Sequence, residues 1–123
     1  MANRLAEIFT RYAACVSAND VEGIVGLYAP DAAIEIPVGG PVHRGIDAIR
    51  AFYRDNELAE RLEIVGRACI AGSEGAVPMR ARIKREGRRF EIDVIDVAAI
   101  DEQGRLTRLR AFFDLAGARP FEG

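Results

Sequence analysis

Asp96 has the most unusual surroundings of any charged residue in this sequence. It lies in an alternating segment, 88–100, that predicts a β-strand, and it shares the apolar side of that strand with Ile92 and Val94. A carboxyl group there is costly to ionise, so we expect a raised pKa and a protonated group that donates a hydrogen bond. The pattern is equally compatible with a carboxyl bonded to nearby backbone or placed at a bulge.

Tyr12 is the residue that could act together with this carboxyl. It lies on an apolar helical stripe with Ile8, and a buried phenol needs a partner for its hydroxyl. If Tyr12 and a neutral Asp96 converge, they form a site with two donors for an oxyanion. Tyr28 and Tyr53 are also predicted to face inward, where they either extend this network or serve as core residues. The same two interpretations stay open for Tyr12.

Other kinds of catalytic site have no support in the sequence. There is no phosphate-binding loop, no metal-ligand spacing and no nucleophile elbow, so we predict neither a metal nor a cofactor. The only histidine, His43, follows a run of glycine and proline and is interpreted as a loop residue.

The hydrophobic periodicity predicts helices first and strands second, which is typical of an α+β fold. We expect a cone-shaped, curved antiparallel or mixed sheet wrapped around three N-terminal helices, with one open mouth that suits a small apolar ligand. The predicted helices cover about 3–17, 21–28 and 47–56, and the predicted strands cover about 32–37, 62–71, 75–85, 88–100 and 105–115. The tail from Gly117 is predicted to be a loop.

Length and composition limit the possible functions. The 123 residues suit a single domain, 1–123, and the net charge of −2 argues against nucleic acid as a partner. No apolar run reaches the length of a membrane span. Cys15 and Cys69 lie far apart in apolar segments, so we expect reduced core cysteines and a cytoplasmic protein.

Several segments together resemble the bacterial Δ5-3-ketosteroid isomerases over nearly the whole chain. The densest match lies in the C-terminal half. The matching segments are 11–12, 27–32, 35–37, 51–54, 93–97, 100–105 and 110–113.

The resemblance implies a fold of the nuclear-transport-factor-2 type, which SnoaL-like proteins share, and a homodimer. It implies that Tyr12 and a protonated Asp96 form an oxyanion hole, with Tyr28 and Tyr53 supporting Tyr12. The implied substrate is a 3-oxo-Δ5 steroid, whose double bond moves into conjugation through a dienolate without a cofactor.

The sequence departs from the family at the position of the general base. The family has an aspartate between the glutamate and the proline of Glu35-x-Pro37, and this chain has Ile36. Alternation places Ile36 on the inner face of its strand and Glu35 on the outer face, so Glu35 cannot replace the base without a slip or a bulge. Loss of a positioned base typically lowers a rate by about 10²–10⁴-fold.

Three hypotheses follow. The first is a steroid isomerase that is slow, uses another base or has lost its base. The second is an enzyme of the same fold that opens an epoxide, cyclises or dehydrates a small cyclic or polyketide-like substrate. The third is a non-catalytic binder of apolar ligands. In each case the residues expected to line or support the pocket are Phe52, Val77, Met79, Leu109 and Phe113.

Overall fold

The computed structural model describes residues 4–121, which contain three α-helices, one short 3₁₀ helix (Leu115–Gly117) and eight strands. The helices are α1 (Arg4–Ser17), α2 (Val21–Val25) and α3 (Ile46–Asp55). The strands are β1 (Tyr28–Glu35), β2 (Val42–Arg44), β3 (Arg61–Ile64), β4 (Cys69–Ala71), β5 (Glu74–Arg85), β6 (Arg88–Ile100), β7 (Leu106–Phe112) and β8 (Arg119–Pro120).

The strands form one mixed sheet in the order β2-β1-β7-β6-β5-β3. Strands β1 and β7 pair in parallel, and the other pairs are antiparallel. Two short strands lie off this path, since β4 pairs with β5 and β8 with β6. The predicted α+β class, with a curved sheet against three helices, is confirmed.

The core lies between the helices and the inner face of the sheet. Helix α1 contributes the apolar stripe that its periodicity predicts, including Leu5 and Phe9, and α3 contributes Ile49. Strands β5, β6 and β7 close the other side with alternate residues. One layer of helices and one layer of sheet therefore share a single core, and any inward-facing side chain of β6 points at the helices.

Helix α2 is shorter than predicted, and Tyr28 is not part of it. The helix begins where predicted, with Asp20 accepting a hydrogen bond from the Gly23 N–H at 2.9 Å, and it ends at Val25. Two glycines, Gly23 and Gly26, reduce its helical preference. The chain then joins the sheet, and Tyr28 begins β1 opposite Leu106.

The segment after the glycine run forms a strand, β2, that was not predicted from the sequence. Strand β2 pairs with β1 over three residues, with His43 opposite Ile34. His43 is therefore a half-buried strand residue rather than a loop residue, and its ring lies 5.0 Å from that of Phe52. Three residues are too few for alternation to reveal a strand.

The single strand predicted for 62–71 is two strands, β3 and β4. The break lies opposite Pro78 of β5, which has no N–H to donate to a ladder. Gly66 crosses next to the Pro78 ring, where a side chain would come within 2.7 Å of the ring carbon Cγ. Both strands still pair with β5, on either side of the break.

The predicted structure of the C-terminal segment also needs correction. Strand β7 ends at Phe112, not near 115, and a short β8 pairs with β6 within the predicted C-terminal loop.

The two cysteines are not core residues as predicted. Cys69 is exposed and Cys15 is half-buried, although both are free thiols. Cys69 lies in the three-residue strand β4 and Cys15 at the edge of the apolar stripe of α1, and in a sequence both positions look like core positions.

No helix within residues 4–121 is long and apolar enough to cross a membrane. The same residues contain no group of three or more histidine, cysteine or acidic side chains that could hold a metal ion.

Candidate active site

A cavity of about 460 Å³ opens between helices α1 and α3 and the inner face of the sheet. This volume is within the range of about 300–1,000 Å³ that is typical of small-molecule sites. Its inner end is lined by buried residues and its mouth by exposed ones. The buried wall consists of Tyr12, Val16, Tyr53, Ala81, Ile92, Val94, Asp96 and Ala111.

Asp96 lies on β6 in the wall of this cavity and is only 2% exposed. Its carboxyl group has no hydrogen-bond partner among residues 4–121, and the irregularity in the β6–β7 pairing lies between Ala99 and Ile100, away from Asp96. The alternatives of a backbone-bonded carboxyl or a bulge are therefore not what the structure shows. Burial raises the pKa of Asp96 from its ordinary value of 3.8 to about 7. A large fraction of Asp96 therefore carries a proton at neutral pH.

The three tyrosines form one buried chain of hydrogen bonds. The Tyr53 hydroxyl lies 2.9 Å from that of Tyr12 and 2.7 Å from that of Tyr28. When Tyr28 donates to Tyr53 and Tyr53 donates to Tyr12, the Tyr12 proton is free to donate into the cavity. Burial raises the pKa of all three phenols well above the usual value, and the nearby Asp96 carboxylate raises that of Tyr12 further. Tyr12 is therefore a neutral donor across the physiological pH range.

Tyr12 and Asp96 line the same cavity although they come from different layers of the fold. Helix α1 supplies one and strand β6 the other. Two neutral donors with little access to water are suited to stabilise a negative charge that develops on an oxygen between them. The chemistry that this arrangement supports is the stabilisation of an enolate or a related oxyanion.

Ile36 follows β1 and lies in the cavity wall, as does Pro37. Glu35 lies on the opposite face, where its carboxylate accepts hydrogen bonds from the Gly39 N–H at 3.0 Å and from Arg110 Nε at 2.9 Å. These two contacts hold the pKa of Glu35 below its usual range. Glu35 is thus fixed in an ion pair away from the cavity, and the side chain at position 36 cannot accept a proton.

The predicted apolar wall needs partial correction. Phe52 and Phe113 line the cavity, and the Phe52 ring packs edge-to-face on Tyr53 at 5.2 Å. Three others do not line it: Val77, Met79 and Leu109 are about 1% exposed and fill the core. Alternation identified their face correctly, but it does not show how far along the cone a residue lies.

Several lining residues were not identified from the sequence as part of the site. Ile92 and Val94 could have been found, because they share the face of β6 with Asp96. The residues of the α3–β3 connection and of the last two positions of β5 have no such signal. These unpredicted lining residues include Asn56, Glu57, Leu58, Ala59, Lys84 and Arg85.

Residues 9–109 match the SnoaL-like domain family. This chain belongs to the SnoaL-like family. It is 34% identical over 104 residues to a steroid Delta-isomerase of Nocardioides simplex, a match that covers 84% of each protein. The resemblance to steroid isomerases that the sequence indicated is thereby confirmed.

A solved structure supports the same fold for this SnoaL-like domain. It is that of SalBIII, an epoxide hydrolase/cyclase-like enzyme in pyran ring formation in the polyether salinomycin. The two chains are 28% identical and superpose with a TM-score of 0.86, over 96% of this chain and 95% of that one. The fold and the kinship with isomerase-type enzymes are therefore established, and the relatives carry out more than one kind of reaction.

Proposed function

We propose that this SnoaL-like domain is a steroid Δ-isomerase that moves the double bond of a 3-oxo-Δ5 steroid into conjugation. The observation that carries the proposal is that Tyr12 and Asp96, whose pKa burial raises to about 7, line one mostly apolar cavity. The steroid ring system would fill the apolar part, with its 3-oxo group between the two donors. The steroid isomerase of Nocardioides simplex, 34% identical, supports this substrate class.

In this mechanism a proton leaves C4 of the steroid, and the electrons of the broken C–H bond form a dienolate. Tyr12 and Asp96 donate hydrogen bonds to its oxygen. A proton then adds at C6, so that substrate and product have the same composition and no cofactor takes part. Ile36 supplies no base, and Glu57, the other carboxylate of the cavity wall, is exposed at the mouth. Water is therefore the acceptor we assign, and turnover should be slow.

The first test is turnover of a 3-oxo-Δ5 steroid, followed by the absorbance of the conjugated enone. We expect slow turnover by the unaltered protein and a decrease of about 10²–10³-fold in kcat for Asp96→Ala, because one oxyanion donor is lost. Activity that does not change with Asp96→Ala would contradict the assignment of Asp96. No turnover of a steroid that binds would remove the isomerase proposal.

A second test measures the donors without turnover, through the affinity for a substituted phenol that imitates the dienolate. We expect Tyr12→Phe and Asp96→Ala each to weaken binding at least about tenfold, since each removes a hydrogen bond to a charged oxygen that contributes roughly 1.5–3 kcal/mol. Tyr28→Phe is the comparison variant: it removes the hydroxyl at the far end of the chain of hydrogen bonds, which bonds to Tyr53 and does not line the cavity, so it should weaken binding less than either. Equal affinities in all four proteins would show that Tyr12 and Asp96 do not form an oxyanion site.

A second candidate is an enzyme that opens an epoxide or cyclises a polyketide-like substrate, with Tyr12 and Asp96 as acids. Two observations favour it: isoleucine replaces the usual base in the cavity wall, and the fold matches an epoxide hydrolase/cyclase-like enzyme over almost its whole length. A non-catalytic binder is the third candidate, in which Asp96 anchors an apolar ligand. The turnover assay separates the first candidate from these two. The homodimer and the cytoplasmic location stay predictions.

A further inference from the structure

The mouth of the cavity differs in character from its apolar interior. Two cationic side chains of β5, Lys84 and Arg85, line it at the end of the β5–β6 hairpin. The inner face of β5 is apolar from Val77 to Ile83, and Arg85 is the next residue on that face. Lys84 alternates to the other face but also lines the mouth, at the end of the strand. The row of inward-facing residues therefore changes from apolar to cationic where the cavity meets solvent.

These two cations have no carboxylate partner within 4.0 Å among residues 4–121, in contrast to the other cations of β5. Arg80 and Arg82 lie on the outer face, in ion pairs with Asp93 and Glu91 of β6. A cation that lines a cavity and has no internal partner is available to an anion of the ligand.

One carboxylate opposes this effect. Glu57 lines the same mouth and is exposed, and it too has no ion pair among the described residues. Two cations and one carboxylate leave a net positive charge of one at the mouth. This charge favours an anion, and removal of the Glu57 charge should favour it further.

The cations lie far from the proposed oxyanion donors. Asp96 pairs with Val77 across the sheet, and Arg85 lies eight residue steps beyond Val77 along β5. At about 3.3 Å per residue, this corresponds to roughly 26 Å of strand. A fused four-ring skeleton with its oxygen at Asp96 is too short to reach the mouth, so contact with the cations requires a substituent at the distal end.

We propose that the site takes amphipathic substrates with an enolisable carbonyl at one end and an anionic group, such as a carboxylate, at the opposite end. Tyr12 and Asp96 would bind the carbonyl oxygen, and Lys84 and Arg85 would bind the anion at the mouth. The planar guanidinium of Arg85 matches the geometry of a carboxylate, which can accept two parallel hydrogen bonds. This inference rests on the proposed function, because it extends the same site outward.

The experiment compares two probes that differ only in distal charge. They are a 3-oxo-Δ4 steroid whose side chain ends in a carboxylate and the methyl ester of the same compound, each titrated by calorimetry. We expect the acid to bind at least about fivefold more tightly than the ester. The double variant Lys84→Gln/Arg85→Gln should weaken binding of the acid and lose this preference, and Glu57→Gln should increase the preference.

Arg88→Gln is the matched control, because Arg88 belongs to the same hairpin, has no ion pair among the described residues and does not line the cavity. It should keep the preference for the acid. Equal binding of acid and ester by the unaltered protein would overturn the inference and leave the proposed function intact. Loss of the preference in Arg88→Gln that is as complete as in the double variant would also overturn the inference and leave the proposed function intact. If neither probe binds, the steroid proposal and this inference both fail.

Discussion

Replacing Ile36 by aspartate is expected to raise the rate of 3-oxo-Δ5 isomerisation at least tenfold. Ile36 lies in the cavity wall, so a carboxylate at this position would face the bound ligand. A positioned base typically contributes about 10²–10⁴-fold to such a reaction. Ile36 is only half-buried, which leaves its replacement enough contact with water to ionise. The measurement is kcat from the growth of the enone absorbance.

The new carboxylate would also affect Asp96 in the direction that the mechanism needs. An ionised aspartate at position 36 would place a negative charge in the cavity that Asp96 already lines. Like charges oppose the ionisation of the second group, so the pKa of Asp96 would rise above about 7. One carboxyl group would then act as the base while the other stays a protonated donor.

The matched control is Ile36→Asn. Asparagine has nearly the same size and shape as aspartate and is also polar, but its amide cannot accept the proton. We expect it to stay at the rate of the unaltered protein. A tenfold gain in both variants would indicate a better-hydrated cavity rather than a base. No gain in Ile36→Asp would mean that the cavity does not hold a steroid with C4 near position 36, and the epoxide-opening or cyclising candidate would then be preferred.

Much of this site was predictable because its residues lie in long, regular elements. Tyr12 follows from the helical period of α1, and Asp96 from the alternation of β6, the longest strand among the described residues. Both patterns predict which side chains face the core. Neither pattern predicts that Tyr12 and Asp96 lie near each other. Only the packing of the helices on the sheet shows that they line one cavity.

The parts that were missed depend on contacts between segments far apart in the chain. Strands β2 and β8 have three and two residues, and each exists because a longer strand is available for pairing. The division between β3 and β4 is caused by Pro78, which belongs to a different strand. The cations at the mouth, Lys84 and Arg85, could not be assigned to the site from the sequence, because the position of the cavity along β5 depends on how the folded layers pack.

Replacing Asp96 by asparagine is expected to stabilise the protein at pH 8 and to leave its stability at pH 4 nearly unchanged. The reason is that burial raises the pKa of Asp96 from 3.8 to about 7. Well below pH 3.8 the carboxyl group is protonated in both the folded and the unfolded chain, and at pH 4 its partial ionisation in the unfolded chain costs only about 0.5 kcal/mol. Between pH 4 and 7 the unfolded chain releases this proton while the folded chain keeps it, so stability falls as the pH rises. Above pH 7 the full cost is present, because the folded chain must bury a carboxylate.

The size of this effect follows from the same two pKa values. The difference between 3.8 and about 7, at 1.36 kcal/mol per pH unit, corresponds to roughly 4 kcal/mol, as an upper limit for a cavity that admits some water. The measurement is the free energy of unfolding in urea at pH 4, 6 and 8 for both proteins. We expect the two curves to meet near pH 4 and to separate as the pH rises, with Asp96→Asn the more stable.

Asp93→Asn is the control that tests the sign. Asp93 lies on the same strand but on its outer face, where Arg119 donates hydrogen bonds to its carboxylate at 3.1 and 3.2 Å. These contacts hold the pKa of Asp93 below its usual value, so its ionised form favours the folded state and its replacement should lower stability at pH 8. Opposite effects from two aspartates three residues apart would show that the cavity, and not the strand, sets the pKa of Asp96. Parallel curves for Asp96→Asn and the unaltered protein from pH 4 to 8 would mean that Asp96 ionises freely, and a neutral donor at this position would then be excluded at neutral pH.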